Sequence, residues 1–183
     1  DVVSVIRKIP REKVLIVDRY SEELKDYPVV YQEYDQDIRD ALSEALPYLK
    51  KYRRLNLIFP RQEYYPSYIK KGFIIFCQVN QFEYRVLESP EEKLVSAGEI
   101  YVVVSDNDLY ELIKNIKKRG WQPGNQIGII SYNESPVKEI LCDGIATIST
   151  NHDEIGKIAA EMILRKDFRR IKCPFEFIHR ESL

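Results

Sequence analysis

The chain of 183 residues contains no run of even 15 consecutive apolar residues. A membrane-spanning helix needs about 20, so the sequence predicts none. Its first residues lack the layout of a signal peptide. It has 28 Lys and Arg against 29 Asp and Glu, so the net charge is −1 and there is no basic tail for nucleic acid. These absences predict a cytoplasmic protein that does not bind DNA through this segment.

Cysteine and histidine are scarce and scattered. Cys77, Cys142 and Cys173 form no CxxC pair, and His152 and His179 form no HExxH motif. A zinc site needs such spacings, so the sequence predicts no metal site. An odd number of isolated cysteines is typical of a protein kept in a reducing compartment.

The common nucleotide and catalytic motifs are also missing. There is no GxGxxG, no GxxxxGK[ST] and no GxSxG, and the segment GNQIG at 124–128 precedes a strand, so it is predicted to be a turn. Nothing in the sequence assembles a nucleophile, a base and a group to orient it. We therefore expect no cofactor and no enzymatic activity.

What the sequence does contain is an alternation of short, β-branched apolar runs with segments of helical period. Apolar runs without a polar residue at every second position are typical of strands buried on both faces of a parallel sheet. This pattern predicts an α/β fold with helices on both faces of a doubly wound sheet. The predicted strands are 14–17, 55–59, 84–87, 100–104, 127–130, 145–148 and 175–178, and the predicted helices are 35–51, 66–79, 107–119 and one starting near 151.

Polar residues follow five of these strands. Ligands of parallel sheets bind outside the carboxyl ends of strands, so these positions are candidates for a binding site. Amides, hydroxyls and carboxylates together suit a polyhydroxylated ligand, although each position also fits an ordinary loop start or helix cap. The five segments are 18–19, 60–63, 105–107, 131–134 and 149–151, and the aromatic neighbours that could stack on a sugar are Tyr64, Tyr65, Tyr68 and Tyr132.

Residues 101–164 resemble the effector-binding core of LacI/GalR-type transcription regulators. In this stretch Ser105-Asp106 ends a strand, the following helix closes at Gly120, and IGIISYN is similar to the family's strand ending in Gly-Tyr-Asp. The segment 145–148 followed by Thr150-Asn151 is similar to the family's Leu-Thr-Thr-Ile element. Upstream, 13–18 and Lys71-Gly72-Phe73 occur in the family's order.

The resemblance implies a periplasmic-binding-protein-like type I fold of two lobes joined by a hinge, with the ligand between them. We expect 1–33 and 151–168 to be the remainder of an incomplete N-terminal lobe, and 34–149 and 169–183 to form the C-terminal lobe. It also implies a homodimer whose DNA-binding domain would precede residue 1.

Carried over position by position, the resemblance also assigns a ligand site. The family's sugar-contacting positions correspond to Asp18, Ser105, Asn133 and Thr150, and their immediate neighbours are Asp106, Glu134 and Asn151. With the aromatic candidates Tyr65 and Tyr132 these form the predicted ligand-binding set.

Three departures from the family pattern refine this expectation. Ile69 stands where the family usually has an Arg, Asn133 where it has an Asp, and Ser105 where it has an Asn. They make the chain more similar to the LacI-like effector domains of GntR-type winged-helix regulators and favour a neutral sugar over an acid. Two alternatives remain: a solute-binding protein of a sugar transporter, and an α/β enzyme whose catalytic group lies outside this segment.

Overall fold

The structure, a computed structural model, describes residues 2–19, 21–61 and 65–183. In these ranges strands and helices alternate, and no helix is both long and apolar enough to cross a bilayer. The α-helices are α1 (Val2–Ile6), α2 (Tyr34–Leu49), α3 (Ser67–Val79), α4 (Asp106–Lys118), α5 (Pro136–Ile140) and α6 (His152–Arg165). The strands are β1 (Ile16–Asp18), β2 (Val29–Tyr31), β3 (Arg54–Ile58), β4 (Tyr84–Leu87), β5 (Glu99–Val103), β6 (Gly128–Tyr132), β7 (Ala146–Thr150), β8 (Arg170–Lys172) and β9 (Phe175–Ile178).

The chain forms two compact units. The first unit comprises residues 1–33 and 150–175, and the second comprises 34–149 and 176–183. The sequence-based boundary assigned 169–175 to the second lobe, whereas these residues lie in the first unit. The reason is that β8 pairs in parallel with β2, with Val30 opposite Ile171.

The second unit is built on a six-stranded sheet in the order β4-β3-β5-β6-β7-β9. The strands from β4 to β7 pair in parallel with their neighbours. Every residue of β5, β6 and β7 is buried, as expected for strands whose apolar runs lack polar alternation. The predicted parallel α/β architecture is confirmed.

Helices cover both faces of this sheet. On one face Leu112 of α4 packs in a core with Tyr101 of β5 and with Leu87 of β4. On the other face Phe73 of α3 meets Tyr84 edge-on, with ring centroids 6.3 Å apart. Tyr84 and Leu87 point to opposite faces because side chains alternate along a strand. The sheet is therefore sandwiched between α3 and α4.

Helix α2 packs closely on α3 at Gly72. A Cβ on Gly72 would lie 2.4 Å from the carbonyl oxygen of Asp35 and 2.5 Å from Cγ2 of Ile38. Any larger residue at this position would force the two helices apart. Pro47 lies within α2, which ends two residues later at Leu49, consistent with the prediction that this proline kinks or ends the helix.

A buried carboxylate organises the amino ends of the central strands. Glu99, the first residue of β5, is fully buried and pairs with Arg53 at 3.1 Å, Arg54 at 3.0 Å and Arg85 at 2.6 Å. The amide of Asn56 donates a further hydrogen bond of 3.1 Å to it. A carboxylate is stable away from water only when charges and hydrogen bonds compensate its lost hydration. This network joins β3, β4 and β5 at the edge opposite their carboxyl ends.

The first unit is smaller. Its sheet has three parallel strands in the order β1-β2-β8, and a compact core joins Val30 of β2 to Ile155 and Met162 of α6 and to Cys173. In β1, Val17 is 44% exposed. The edge strand β1 is thus partly open to solvent, whereas the central strand β2 is buried at Val29 and Val30.

Several element boundaries differ from the sequence prediction. The first strand, predicted at 14–17, spans Ile16–Asp18 because the Ile16 N–H donates to the Pro28 carbonyl at 3.0 Å and so starts the ladder with β2. Helix α4, predicted at 107–119, spans Asp106–Lys118. Four short elements, α1, β2, α5 and β8, were not predicted from the sequence.

Candidate functional site

The carboxyl ends of the parallel strands carry most of the predicted ligand-binding residues. In the second unit Ser105 and Asp106 follow β5, and Tyr132 ends β6 before Asn133 and Glu134. In the first unit the candidates are Asp18 at the end of β1, together with Thr150 and Asn151. Tyr65 precedes α3 in the second unit.

Asp106 is the most exposed candidate in the second unit. It is the first residue of α4, its side chain is 74% exposed, and one carboxylate oxygen pairs with the Lys138 ammonium at 2.8 Å. The positive end of the helix dipole favours a carboxylate at this position. Ser105, the residue before the helix, is buried. Asp106 therefore presents a hydrogen-bond acceptor at the sheet edge, and Ser105 lies within the protein.

Asn133 is held in a left-handed turn directly after β6. Its φ is 63°, a conformation that asparagine tolerates better than most residues. Its N–H donates to the Ile148 carbonyl at 2.9 Å, and its carbonyl accepts a 2.7 Å hydrogen bond from the Lys138 ammonium. The backbone is thus fixed from both sides, and the side chain is half-buried. Tyr132, its predicted aromatic neighbour, is only 3% exposed and lies in the core.

Glu134 forms several hydrogen bonds and an ion pair within the second unit. Its carboxylate accepts from Arg180 at 2.8 Å, from the Thr147 hydroxyl and from the Ser135 N–H at 2.9 Å, and its own N–H donates to the Ser149 hydroxyl at 2.8 Å. Partial burial by itself raises the pKa of Glu134, but the hydrogen bonds and charge of Arg180 and the Thr147 hydrogen bond outweigh it and lower the pKa. These contacts join the end of β6 to β7 and the chain terminus.

Lys138 connects the candidates of the second unit and was not identified from the sequence. Its side chain is 2% exposed, and its ammonium reaches Asp106 as well as the carbonyls of Tyr132 at 3.2 Å and Asn133 at 2.7 Å. Lysine is among the residues least often fully buried, so a lone Lys in a polar segment gives no sequence signal for this position.

A separate hydrogen-bonded chain links two candidates of the first unit. The Gln32 amide donates to one carboxylate oxygen of Asp18, and the Thr150 hydroxyl donates to the Gln32 amide oxygen at 2.7 Å. Asp18 has a φ of 80°, in the left-handed region. Gln32 follows β2, so the rule about strand ends would have identified it had that three-residue strand been recognised.

The remaining candidates cap a helix, pack against another ring or lie in the core. The Asn151 side chain caps α6 by accepting from the Glu154 N–H at 3.0 Å. Tyr65 is half-buried and its ring meets Phe59 edge-on, with centroids 6.4 Å apart. Ile69 is fully buried and belongs to the core of the second unit. The predicted candidates at 62–63 and Tyr64 lie outside the described residues.

The chemistry available at these edges is hydrogen bonding. Carboxylate, amide and hydroxyl groups can exchange donors and acceptors with a ligand rich in hydroxyls. In the described ranges, no group of three or more His, Cys, Asp or Glu side chains is arranged to hold a metal ion. Burial raises the pKa of the Cys77 thiol to about 12, so this thiol stays protonated near neutral pH.

No protein-family model and no curated protein matches this sequence. Solved structures do match. A LacI family transcriptional regulator from Enterococcus faecalis V583 with bound ribose superposes with a TM-score of 0.73 at 17% identity, covering 97% of this chain and 70% of that one. A periplasmic binding protein/LacI transcriptional regulator from Alkaliphilus metalliredigens QYMF, complexed with D-xylulofuranose, gives 0.71 at 15% identity, with 92% and 70% covered.

A third similar structure is the dimeric Lac repressor with an 11-residue C-terminal deletion, with a TM-score of 0.71, 15% identity, and 92% of this chain and 67% of that chain covered. At such identities the likeness concerns the backbone rather than particular side chains. The parallel sheets, the order of strands and helices and these superpositions agree. The chain has the periplasmic-binding-protein-like fold of the effector-binding domains of LacI-type regulators.

Proposed function

We propose that this chain is the sugar-binding, effector-sensing domain of a bacterial-type transcription regulator that acts in the cytoplasm and has no enzymatic activity. The observation that carries the proposal is the fold shared with LacI-type regulators, two of which contain bound sugars. The polar groups at the carboxyl ends of its parallel strands support it, because ligands of such sheets bind there.

The proposed ligand is a neutral monosaccharide of pentose or similar size. Asp106 and Asn133 are the groups of the second unit that we assign to its hydroxyls, since both are at least partly exposed. In the first unit we assign the Asp18–Gln32–Thr150 chain to the same role. The buried Ile69 favours a neutral sugar because it offers no cation for an acidic one.

DNA binding is assigned to a winged-helix domain of the GntR type outside this segment. The net charge of −1 supports this division, since the segment lacks the basic surface that phosphate contacts require. Sugar binding would then change the affinity of that domain for its operator. Such a change requires the ligand to bind one conformation of the regulator better than another.

Dimerisation is assigned to an apolar groove between α4 and α5, with a second copy of the chain as its occupant. Tyr110, which is 63% exposed, and Val137, which is 55% exposed, line a groove of about 700 Å³. Helix α4 has Asp108 in its first turn and Lys117 and Lys118 in its last, so two copies of α4 packed antiparallel across a two-fold axis place opposite charges together. Sedimentation should show a dimer that Tyr110→Glu shifts to monomer; a monomeric wild type would contradict this.

The sugar-binding proposal is tested by calorimetric titration of wild type, Asn133→Gly and Asn125→Gly with D-ribose and D-xylulose. Glycine suits the left-handed conformation at 133, so Asn133→Gly removes the amide without straining the backbone. Asn125 lies before β6, at the opposite end of the same strand, and serves as the matched control.

We expect Asn133→Gly to weaken sugar binding by roughly 5- to 150-fold, corresponding to about 1–3 kcal/mol for unpaired ligand hydroxyls. Asn125→Gly should bind as the wild type does. Equal affinities for the two variants would show that Asn133 does not contact the sugar. If the wild type binds no monosaccharide in a broad panel at millimolar concentration, the proposed function is wrong.

A further inference from the structure

Lys138 is the most completely buried cation that the described part of the chain places near the carboxyl end of a strand. Its backbone is fixed at both ends, because its N–H donates to the Ser135 carbonyl at 2.9 Å and its carbonyl accepts from the Ile145 N–H at 2.8 Å. The side chain therefore projects from a rigid point into the protein, where it is 2% exposed.

The Lys138 ammonium uses all three of its donors on groups around the proposed ligand site. It pairs with Asp106 at 2.8 Å and donates to the carbonyls of Asn133 at 2.7 Å and Tyr132 at 3.2 Å. A lysine ammonium has three N–H donors, so the three acceptors saturate it. It therefore has no hydrogen left for a ligand, and any effect on binding must pass through the groups that it holds.

Packing alone does not require a charge at this place. Replacing a buried ion by an apolar side chain of similar volume is often neutral or stabilising, because the desolvation of the ion is costly. The counter-ion here, Asp106, is 74% exposed and would be well hydrated without the lysine. The effect of the buried charge is thus to position its neighbours: the ammonium restricts the Asp106 carboxylate to one orientation and fixes the turn at Asn133.

We propose that Lys138 is a positioning residue for the effector, an inference that rests on the proposed function. By holding Asp106 and the backbone of Asn133 from one nitrogen atom, it sets the distance between the two groups assigned to the sugar. Groups that are ordered before binding lose less conformational freedom when the ligand arrives, so affinity is higher. Lys138 is itself a residue of α5, next to Val137, which lines the groove assigned to dimerisation.

The test is a double-mutant cycle on the intact regulator, with D-ribose or whichever pentose the wild type binds as the probe. Lys138→Met keeps the volume of the side chain and removes its charge, and Asp106→Ala removes the carboxylate that it orients. Lys114→Met is the matched control, since Lys114 lies on the same groove but is exposed and pairs with Glu111 at 3.3 Å. Affinity and the thermal unfolding midpoint are measured for each variant.

We expect Lys138→Met to weaken sugar binding about tenfold in the wild-type background and much less in the Asp106→Ala background, since residues that act together are not additive. Lys114→Met should leave affinity unchanged. If Lys138 were purely structural, Lys138→Met would lower the unfolding midpoint but leave the sugar affinity of the folded protein unchanged. That result would overturn the proposal, and so would additive effects of Lys138→Met and Asp106→Ala on affinity.

Two further outcomes are decisive. If Lys138→Met does not fold, Lys138→Arg replaces it: the guanidinium keeps the charge but is planar and cannot match three acceptors arranged for an ammonium. Unchanged affinity in Lys138→Arg and in its cycle with Asp106→Ala would then overturn the proposal. If the wild type binds no sugar, the proposed function fails and this inference with it, whereas wild-type binding unaffected by Lys138 substitutions overturns only the role of Lys138.

Discussion

Both units of this chain combine parallel strands with helices, but the second unit buries its strands and helices more completely than the first. In the second unit all residues of three central strands are buried between helices on both faces of the sheet. In the first unit β1 is partly open, and Ile163 and Leu164 of α6 are 65% and 83% exposed. A cavity of about 500 Å³ lies between Leu15, Pro28 and the end of α6.

The difference shows that sequence pattern alone does not determine the stability of a unit. Apolar residues at helical spacing occur in both α4 and α6, yet only α4 buries its whole apolar stripe. Apolar burial contributes about 25 cal/mol per Å² removed from water, so an apolar side chain left exposed contributes little. We therefore expect the second unit to hold most of the stability and the first unit to open more readily.

The same substitution in the two units gives the largest expected contrast. Phe73 is fully buried in the second unit, whereas Phe168 in the first is 41% exposed. Phe73→Ala should cost about 3–5 kcal/mol, because it removes a large core side chain and leaves a cavity. Phe168→Ala should cost at most about 1 kcal/mol. Urea unfolding followed by circular dichroism measures both, and equal losses would contradict the difference in packing.

The buried carboxylate of the second unit offers a second contrast, with an exposed one as control. Glu99 and Glu83 both pair with Arg54, at 3.0 and 2.9 Å, but Glu99 is fully buried and the Glu83 side chain is 71% exposed. Glu99→Gln should cost about 3 kcal/mol, since it leaves a group of guanidiniums without their shared counter-charge. Glu83→Gln should cost less than about 1 kcal/mol. A loss for Glu99→Gln as small as that for Glu83→Gln would show that the network is not needed.

Alkaline pH should also destabilise the second unit, but by less than the substitutions of Phe73 and Glu99. Burial raises the pKa of Cys77 from 9.0 to about 12 and that of Tyr52 from 10.0 to about 12. The unfolded chain releases these protons near the ordinary pKa values and the folded chain retains them, so stability falls above pH 9 because of Cys77 and above pH 10 because of Tyr52 as well. Between its ordinary and its raised pKa, each group contributes a loss on the order of 1 kcal/mol per pH unit. Urea unfolding followed by Trp121 fluorescence should show it, and a flat profile from pH 9 to 11 would contradict the assigned burial.

Much of the fold follows from local sequence signals. Helix α4 begins and ends one residue from its predicted bounds because its apolar spacing and its acidic start are properties of a short segment. The fully buried strands β5, β6 and β7 were predicted because their apolar runs are continuous. The strands β2 and β8 were missed because three residues are too few to show a period and their pairing partners are distant in sequence.

The candidate site was predictable only in part, for the same reason. The position of Asp106 and Asn133 at strand ends follows from the alternation of elements. The roles of Gln32 and Lys138 do not, since each depends on contacts with residues from other elements: Gln32 on Thr150, and Lys138 on Asp106. Nor does the sequence indicate that the Glu134 carboxylate pairs with Arg180, which is 46 residues away.

The most direct test of the central claim is a titration of the isotopically labelled protein with D-ribose, followed by the backbone amide signals in NMR. We expect the largest shifts at the carboxyl ends of strands, at Asp106 and Asn133 in the second unit and at Asp18 and Gln32 in the first. The amino ends, marked by Glu99 and Asn125, should remain unchanged. Saturable shifts confined to the amino ends, or no saturable shift with any neutral monosaccharide, would contradict the proposal that this domain senses a sugar.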